Sequence, residues 1–100
     1  NADTIASKVA IGMSKKYDTT IYYCFELNGV LRDINDQNSV IKYLNINTYN
    51  KLLKDGNIAD GMLPKLENCF DALKNGVSKV NMGNTNMFTK ENDNFTSITI

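Results

Sequence analysis

The stretch Asp60 to Gly76, reading DGMLPKLENCFDALKNG, holds the residues whose types and spacing offer chemistry. Leu66, Cys69, Phe70 and Leu73 share one face of a helical period, which predicts an amphipathic helix over roughly 62 to 75 with Gly76 as a left-handed cap. Lys65 falls in the first turn of that helix, directly after a Gly61-Met62 loop. The first N–H groups of a helix have no intrahelical partner, so a cation placed among them makes a site where a phosphate can be held. Pro64 fits there, because the first turn needs no N–H from it. On spacing alone the simpler reading of Lys65 is a solvated lysine in an ordinary helix.

The elements that must position this segment follow from the hydrophobic periods. Asp3 and Thr4 are both good helix caps, and Ile5, Val9 and Met13 recur at four-residue spacing while Ser7, Lys8, Ser14 and Lys15 fall on the other side. This predicts an amphipathic helix over roughly 4 to 16, with the Ile5, Val9 and Met13 stripe as its apolar face. Thr20 to Phe25 is a β-branched and aromatic run with little alternation, the pattern of a strand buried on both faces. A strand after a helix points to a parallel α/β sheet. Asn28-Gly29 marks a turn, RDINDQNS (32 to 39) reads as a surface loop, and Val40 to Leu44 is a short apolar run. A second helix is expected from Asn47 or Thr48 through Leu53, closed by Asp55-Gly56. Val77 to Met82 reads as a strand, Gly83 to Asn94 as a polar loop, and Phe95 to Ile100 as an alternating edge or inserted strand.

Composition removes several function classes. Lys plus Arg equals Asp plus Glu at 11 each, so no net field draws the chain to nucleic acid or an anionic membrane. Tyr22, Tyr23, Phe70 and Phe88 are not interleaved with basic residues as base-stacking aromatics are, and read as core or partly buried surface. No apolar run approaches the roughly 20 residues that span a bilayer, and the opening residues lack a signal-peptide layout. The reading is a cytoplasmic protein with no membrane partner. Cys24 and Cys69 both sit in apolar patterns and are expected to be reduced core thiols. With no histidine and no cysteine cluster, a built-in zinc site is not expected. At 100 residues the chain is one domain by length, and its opening Asn-Ala-Asp, set directly against a helix, reads as a piece of something longer.

DGMLPKLENCFDALKNG, together with NADTIASKVA at the start, YCFELNGVLRD in the middle and the closing SITI, resembles the carboxyl-terminal lobe of the acetylglutamate kinases, within the amino-acid kinase family. The resemblance covers nearly the whole chain. It implies a mostly parallel sheet with helices on both faces, as in the αβα sandwich of that family, and a nucleotide-binding role. The implied reaction is ATP-dependent phosphorylation of the side-chain carboxylate of an N-acyl-L-glutamate in arginine biosynthesis, with Mg2+ carried on the nucleotide. It further implies an amino-terminal lobe with a glycine-rich loop and a second lysine, neither found in this chain, and a full-length enzyme that pairs into a homo-oligomer through that lobe. Residues 1–100 alone are then expected to be inactive.

Phosphoryl transfer needs cations near the transferred group and a rigid carboxylate to place them. By resemblance, Lys65 of Gly61-Met62-Leu63-Pro64-Lys65 matches the family lysine that contacts the transferred phosphate, and Asp3 of Asn1-Ala2-Asp3 matches the aspartate that organises the catalytic lysines. Asp3 is also readable as a plain helix cap worth ~1 kcal/mol, a role compatible with the other because a cap fixes the direction of the carboxylate. Asn1 matches a motif position at the acyl-amino-acid pocket. Phe25-Glu26 stands where the family carries a small hydroxyl residue and an aspartate that meet the nucleotide, so Glu26 keeps the charge while Phe25 drops the hydroxyl and also reads as strand core. Gly29 either lets the backbone approach the nucleotide or only makes the turn; Ile58 and Met62 either touch the adenine or fill the core, and Gly61 belongs to the loop between them. Two alternatives stand beside this reading. One is another amino-acid-kinase-family enzyme, acting on aspartate, free glutamate, carbamate or a nucleoside monophosphate. The other is a non-catalytic nucleotide-binding module with the same fold.

Overall fold

The computed structural model describes residues 2–58, 60–89 and 94–100. In chain order the elements are helix α1 (Ala2–Ser14), strand β1 (Thr20–Cys24), strand β2 (Tyr43–Leu44), helix α2 (Ile46–Lys54), a 3-10 turn (Asp60–Met62), helix α3 (Leu63–Lys74), strand β3 (Lys79–Gly83), a second 3-10 turn (Thr85–Phe88) and strand β4 (Thr96–Ile98). The sheet runs β1-β3-β4-β2, with β1 parallel to β3, β2 parallel to β4, and β3 antiparallel to β4. This is the expected α/β arrangement with a mostly parallel sheet. The alternating segment at the end of the chain takes the inserted position, between β3 and β2, with Thr96 and Ile98 fully buried.

Register decides which side chains share a face. Ile21 pairs with Val80 and Tyr23 with Met82, while Val80 and Met82 pair with Ile98 and Thr96, and Leu44 pairs with Ile98. Because side chains alternate along a strand, these residues form one continuous inner face. Helix α3 lies on it, with the Cys69 sulfur 3.8 Å from that of Met82, and α1 joins it through a 2.6 Å contact between Ser7 Oγ and Tyr23 Oη. Helix α2 packs on α3 through Tyr49 and Phe70, whose ring centroids are 4.7 Å apart. The opposite face carries Tyr22, Asn81, Ser97 and Tyr43. Among the described residues its cover is the second 3-10 turn, where Phe88 meets Tyr22 at 5.2 Å.

That one-sided cover corrects two sequence-based expectations. Strand β1 is not buried on both faces: Ile21 is buried, but Thr20, Tyr22 and Cys24 are exposed, so apolar composition on both sides of a strand did not bring a second layer with it. Cys24 is therefore an exposed thiol, and only Cys69 sits in the core. Helix α1 differs for another reason. Its Ile5, Val9 and Met13 stripe is 64%, 57% and 49% exposed, while Ser7 and Ala10 are buried. Small residues let α1 approach β1 and α3 closely, and the hydrogen bond from Ser7 to Tyr23 removes the penalty of burying a hydroxyl. The close approach extends to Gly76, where a Cβ would stand 2.9 Å from Ser14 Oγ.

Helix ends are well specified. Asn45 caps α2 by accepting from the Thr48 N–H at 2.9 Å, so the helix starts slightly earlier than Asn47 or Thr48 would have set it. Both α2 and α3 close on a left-handed glycine, Gly56 at φ 72° and Gly76 at φ 111°. In each, the N–H of the residue after the glycine returns five residues back, Asn57 to Leu52 and Val77 to Ala72, and the glycine N–H itself returns three back, Gly56 to Leu53 and Gly76 to Leu73. This doubly bonded ending satisfies the last carbonyls of both helices.

Candidate active site

The two residues singled out, 62 positions apart in the sequence, meet. Lys65 Nζ donates to Asp3 Oδ2 at 2.7 Å, with the side chains 36% and 29% exposed. Helix α1 begins at Ala2, so Asp3 stands inside its first turn, where the helix dipole favours a carboxylate. Lys65 stands in the first turn of α3, where the same dipole disfavours a cation. Helices α1 and α3 run side by side in the same direction, with Asp3 against Lys65 at their starts and Ser14 Oγ 3.4 Å from Asn75 O at their ends, so the Asp3 carboxylate offsets that mismatch. No side chain caps the start of α3, and Pro64 occupies its first turn without an N–H to satisfy.

Beneath the pair lies a buried layer. Tyr23 donates its hydroxyl proton to the Asp3 carbonyl at 3.1 Å and contacts Ser7 Oγ. Burial raises the Tyr23 pKa above its ordinary value, against the lowering effect of the Ser7 hydrogen bond, with Cys69 and Asp3 adding to the rise. Burial likewise pushes the Cys69 thiol up to about 12, with the Asp3 carboxylate raising it and the Lys65 ammonium lowering it. Cys69 is thus a neutral packing group at physiological pH.

A cleft of about 290 Å³ has on its wall Met62, three residues before Lys65 in the chain. One side comes from the segment after β1, namely Leu27, Val30, Leu31, Arg32, Asp33 and Ile34; the other from Gly56, Asn57, Ile58 and Met62. The first wall is held by several local devices. Val30 N donates to the buried Thr96 Oγ1 at 2.8 Å, Leu31 bridges to Val40, and Arg32 N donates to Ser39 O at 2.9 Å. Asn28 donates its side-chain amide to the Gln37 carbonyl and accepts from the Asn84 amide, linking the ends of β1 and β3. The second wall is set by the left-handed Gly56 that ends α2. The end of β1 leads straight into this cleft, and carboxyl ends of strands are where open α/β sheets bind ligands.

Of the residues proposed from sequence, Ile58 and Met62 line the cleft, with Met62 buried and Ile58 half-buried. Gly61 is exposed beside them, with nothing within 4 Å of the position its Cβ would take. Glu26 is exposed beyond β1 and does not line the cleft. Phe25 packs against the core and its N–H continues the β1-β3 ladder to Gly83 O at 2.9 Å, which is the strand-core reading. Gly29 is buried, and a Cβ there would stand 2.6 Å from Thr96 Oγ1 and 3.0 Å from Val40 Cγ1, so its close approach is to β4 rather than to the cleft. Asn1 lies outside the described residues. Sequence reasoning missed Leu27, Val30, Leu31 and Arg32 as cleft wall, and the Tyr23–Ser7 contact under Asp3. The VL dipeptide between Gly29 and Arg32 was the available signal for the wall.

The site thus combines a cleft beyond the end of β1 with a lysine in the first turn of α3, three residues along the chain from the cleft wall at Met62. The chain belongs to the amino acid kinase family, whose pattern is matched by residues 1–84. It is 49% identical over 80 residues to an acetylglutamate kinase of Cytophaga hutchinsonii, covering 80% of this chain and 30% of that protein. Acetylglutamate kinases of Bacteroides fragilis and Brachyspira hyodysenteriae match the same share of this chain at 50% and 42% identity, over 31% and 27% of their lengths. The chain thus spans less than a third of the curated relatives it matches. A solved structure, smu.665 from Streptococcus mutans UA159, superposes with a TM-score of 0.71 at 25% identity, over 98% of this chain and 35% of that one. Among the described residues no helix is long and apolar enough to cross a membrane, and no three His, Cys, Asp or Glu residues gather as a metal site.

Proposed function

We propose that this chain is the nucleotide-binding portion of a cytoplasmic kinase that transfers phosphate from ATP to the side-chain carboxylate of an N-acyl-L-glutamate, a step of arginine biosynthesis. The observation that carries the reading is the Lys65–Asp3 pair at 2.7 Å, set three residues from the cleft wall at Met62. The matching relatives are acetylglutamate kinases, which supply the substrate class, and the residues present suit a nucleotide. Leu27, Ile58 and Met62 offer apolar surface to a planar base, and Arg32 offers a cation at the rim. ATP supplies the phosphoryl group, and its phosphates bring magnesium with them.

Within this reading Lys65 holds negative charge on the transferred group, assisted by the N–H groups of the uncapped start of α3. Asp3 keeps the ammonium from swinging into solvent, so that little reorganisation is needed when charge develops. Glu26 and Gly61, which stand outside the cleft wall, keep the nucleotide-binding roles that the family resemblance implies, and Asn1 contributes to the acyl-amino-acid pocket. The exposed Ile5, Val9 and Met13 stripe and the open sheet face with Tyr22 and Tyr43 are surfaces for the other lobe. Each such side chain contributes about 1.5–3 kcal/mol once fully buried. That lobe carries the second lysine and the contacts that pair the full-length enzyme, and without it residues 1–100 are inactive.

The test is a substrate panel on the complete protein. Hydroxylamine traps an acyl phosphate as a coloured hydroxamate, so ATP-dependent hydroxamate from N-acetyl-L-glutamate, and little from glutamate or aspartate, is the expected result. Preference for a non-acylated acceptor would move the protein to another enzyme of the same family. A second reading, a non-catalytic nucleotide-binding module, is favoured by one observation: Phe25 packs into the core where the family carries a hydroxyl. Saturable binding of a non-hydrolysable ATP analogue without any hydroxamate would select it.

A further inference from the structure

We propose that Tyr23 is a positioning residue for phosphoryl transfer, acting with Ser7 to set where the first turn of α1 holds the Asp3 carboxylate against Lys65. The inference rests on the functional reading of that pair and adds to it a residue drawn from the sheet. Tyr23 Oη lies 3.1 Å from the Asp3 carbonyl oxygen and 2.6 Å from Ser7 Oγ. A carbonyl can only accept, so the single phenol proton goes to Asp3, and Ser7 must donate its own proton to the phenol oxygen. The three groups then form one directed chain from Ser7 through Tyr23 to the backbone of Asp3.

The geometry gives this chain a mechanical role. Ser7 stands four residues after Asp3 and is buried, so its hydroxyl would otherwise turn back onto the Asp3 carbonyl, a bond that bends helices. The phenol of Tyr23 occupies that place. Its ring belongs to the inner face of β1, where the register pairs Tyr23 with Met82, and Met82 touches Cys69 of α3. The hydroxyl is thus borne by a strand packed under both helices, and it fixes the height of the Asp3 turn relative to the start of α3. The phenol is protonated at neutral pH, and burial only raises its pKa further, so it stays a donor.

The test uses the complete protein, assayed with ATP and N-acetyl-L-glutamate. Tyr23→Phe keeps the ring and should lower kcat by about tenfold while leaving the nucleotide KM within about twofold. With the phenol gone, Ser7 turns onto the Asp3 carbonyl, so adding Ser7→Ala should restore about threefold of the loss. Recovery on deleting a second buried hydrogen-bonding group is not expected of a purely structural role. A Tyr23→Phe enzyme with kcat within about twofold of the parent overturns the inference, provided Lys65→Ala has abolished turnover in the same assay. A double variant that loses activity multiplicatively, in step with its melting temperature, also overturns it. If Lys65→Ala itself keeps turnover, the failure lies with the functional reading, and the inference falls with it.

Discussion

Replacing Lys65 by alanine separates chemistry from folding more cleanly than any other change. Both side chains of the Lys65–Asp3 pair are about a third exposed, at 36% and 29%. A pair that open to solvent contributes roughly 0–1 kcal/mol to stability. A lysine in the first turn of α3 opposes the helix dipole by about 0.3–1 kcal/mol, so its removal returns much of what the lost pair contributed. The melting temperature of the complete protein should therefore stay within about 4 °C of the parent. Turnover should behave differently. Loss of one preorganised donor aimed at developing charge costs about 2.7–4 kcal/mol, or 10²–10³ in kcat. Initial rates of ADP release at saturating ATP and N-acetyl-L-glutamate, with thermal melts on the same preparation, give both numbers. Turnover within about tenfold of the parent would refute the assignment of Lys65, and a collapsed melting temperature would refute the claim that the pair is not structural.

Ile58→Ala trims the cleft wall and should raise the nucleotide KM by about fivefold at unchanged kcat, since roughly 1 kcal/mol of apolar contact is lost equally in ground and transition states. In native protein at pH near 8, iodoacetamide should label the exposed Cys24 and spare Cys69, as peptide mapping would show; equal labelling would contradict the buried layer under the ion pair. The Cys69 thiol, held at about 12 against an ordinary 9.0, binds its proton more tightly folded than unfolded. Its contribution is complete below pH 9.0 and is lost as pH rises toward 12, so the urea midpoint should fall across that window, and less so in Cys69→Ala. Gly29→Ala sets a Cβ 2.6 Å from Thr96 Oγ1 and should destabilise by about 1–3 kcal/mol; an unchanged melting temperature would show that β4 yields there.

What the sequence made legible was local or carried by resemblance. The α3 helix, its proline start and its glycine end follow from period and capping, and both are found within a residue or so of their expected places. The meeting of Lys65 with Asp3, 62 positions apart, was expected only because matching neighbours surround both residues. Periodicity misread α1, because it weighs apolarity and cannot see that Ser7 finds a hydroxyl partner on β1 while Ile5 and Val9 do not reach the core. It misread β1 for a related reason: Tyr22 and Cys24 look like core, but a strand acquires a second buried face only when something covers it. Most of the cleft wall stayed hidden, since Leu27 to Ile34 is placed by contacts with Thr96, Gln37 and Ser39 rather than by any pattern of its own.

The short strand β4 ties the sheet together. It is the neighbour of both β3 and β2, and its Thr96 hydroxyl also holds the Val30 N–H of the cleft wall. Peeling it away would leave β1 and β3 as a pair, set β2 adrift, and release one flank of the cleft in the same event. Opening of that flank and separation of the sheet therefore share one free energy. The Val30, Ser97 and Thr99 amides should exchange with solvent deuterium as a single cooperative group, and a nucleotide that tightens the cleft should slow exchange as far away as the Ser97 bond to the Lys42 carbonyl.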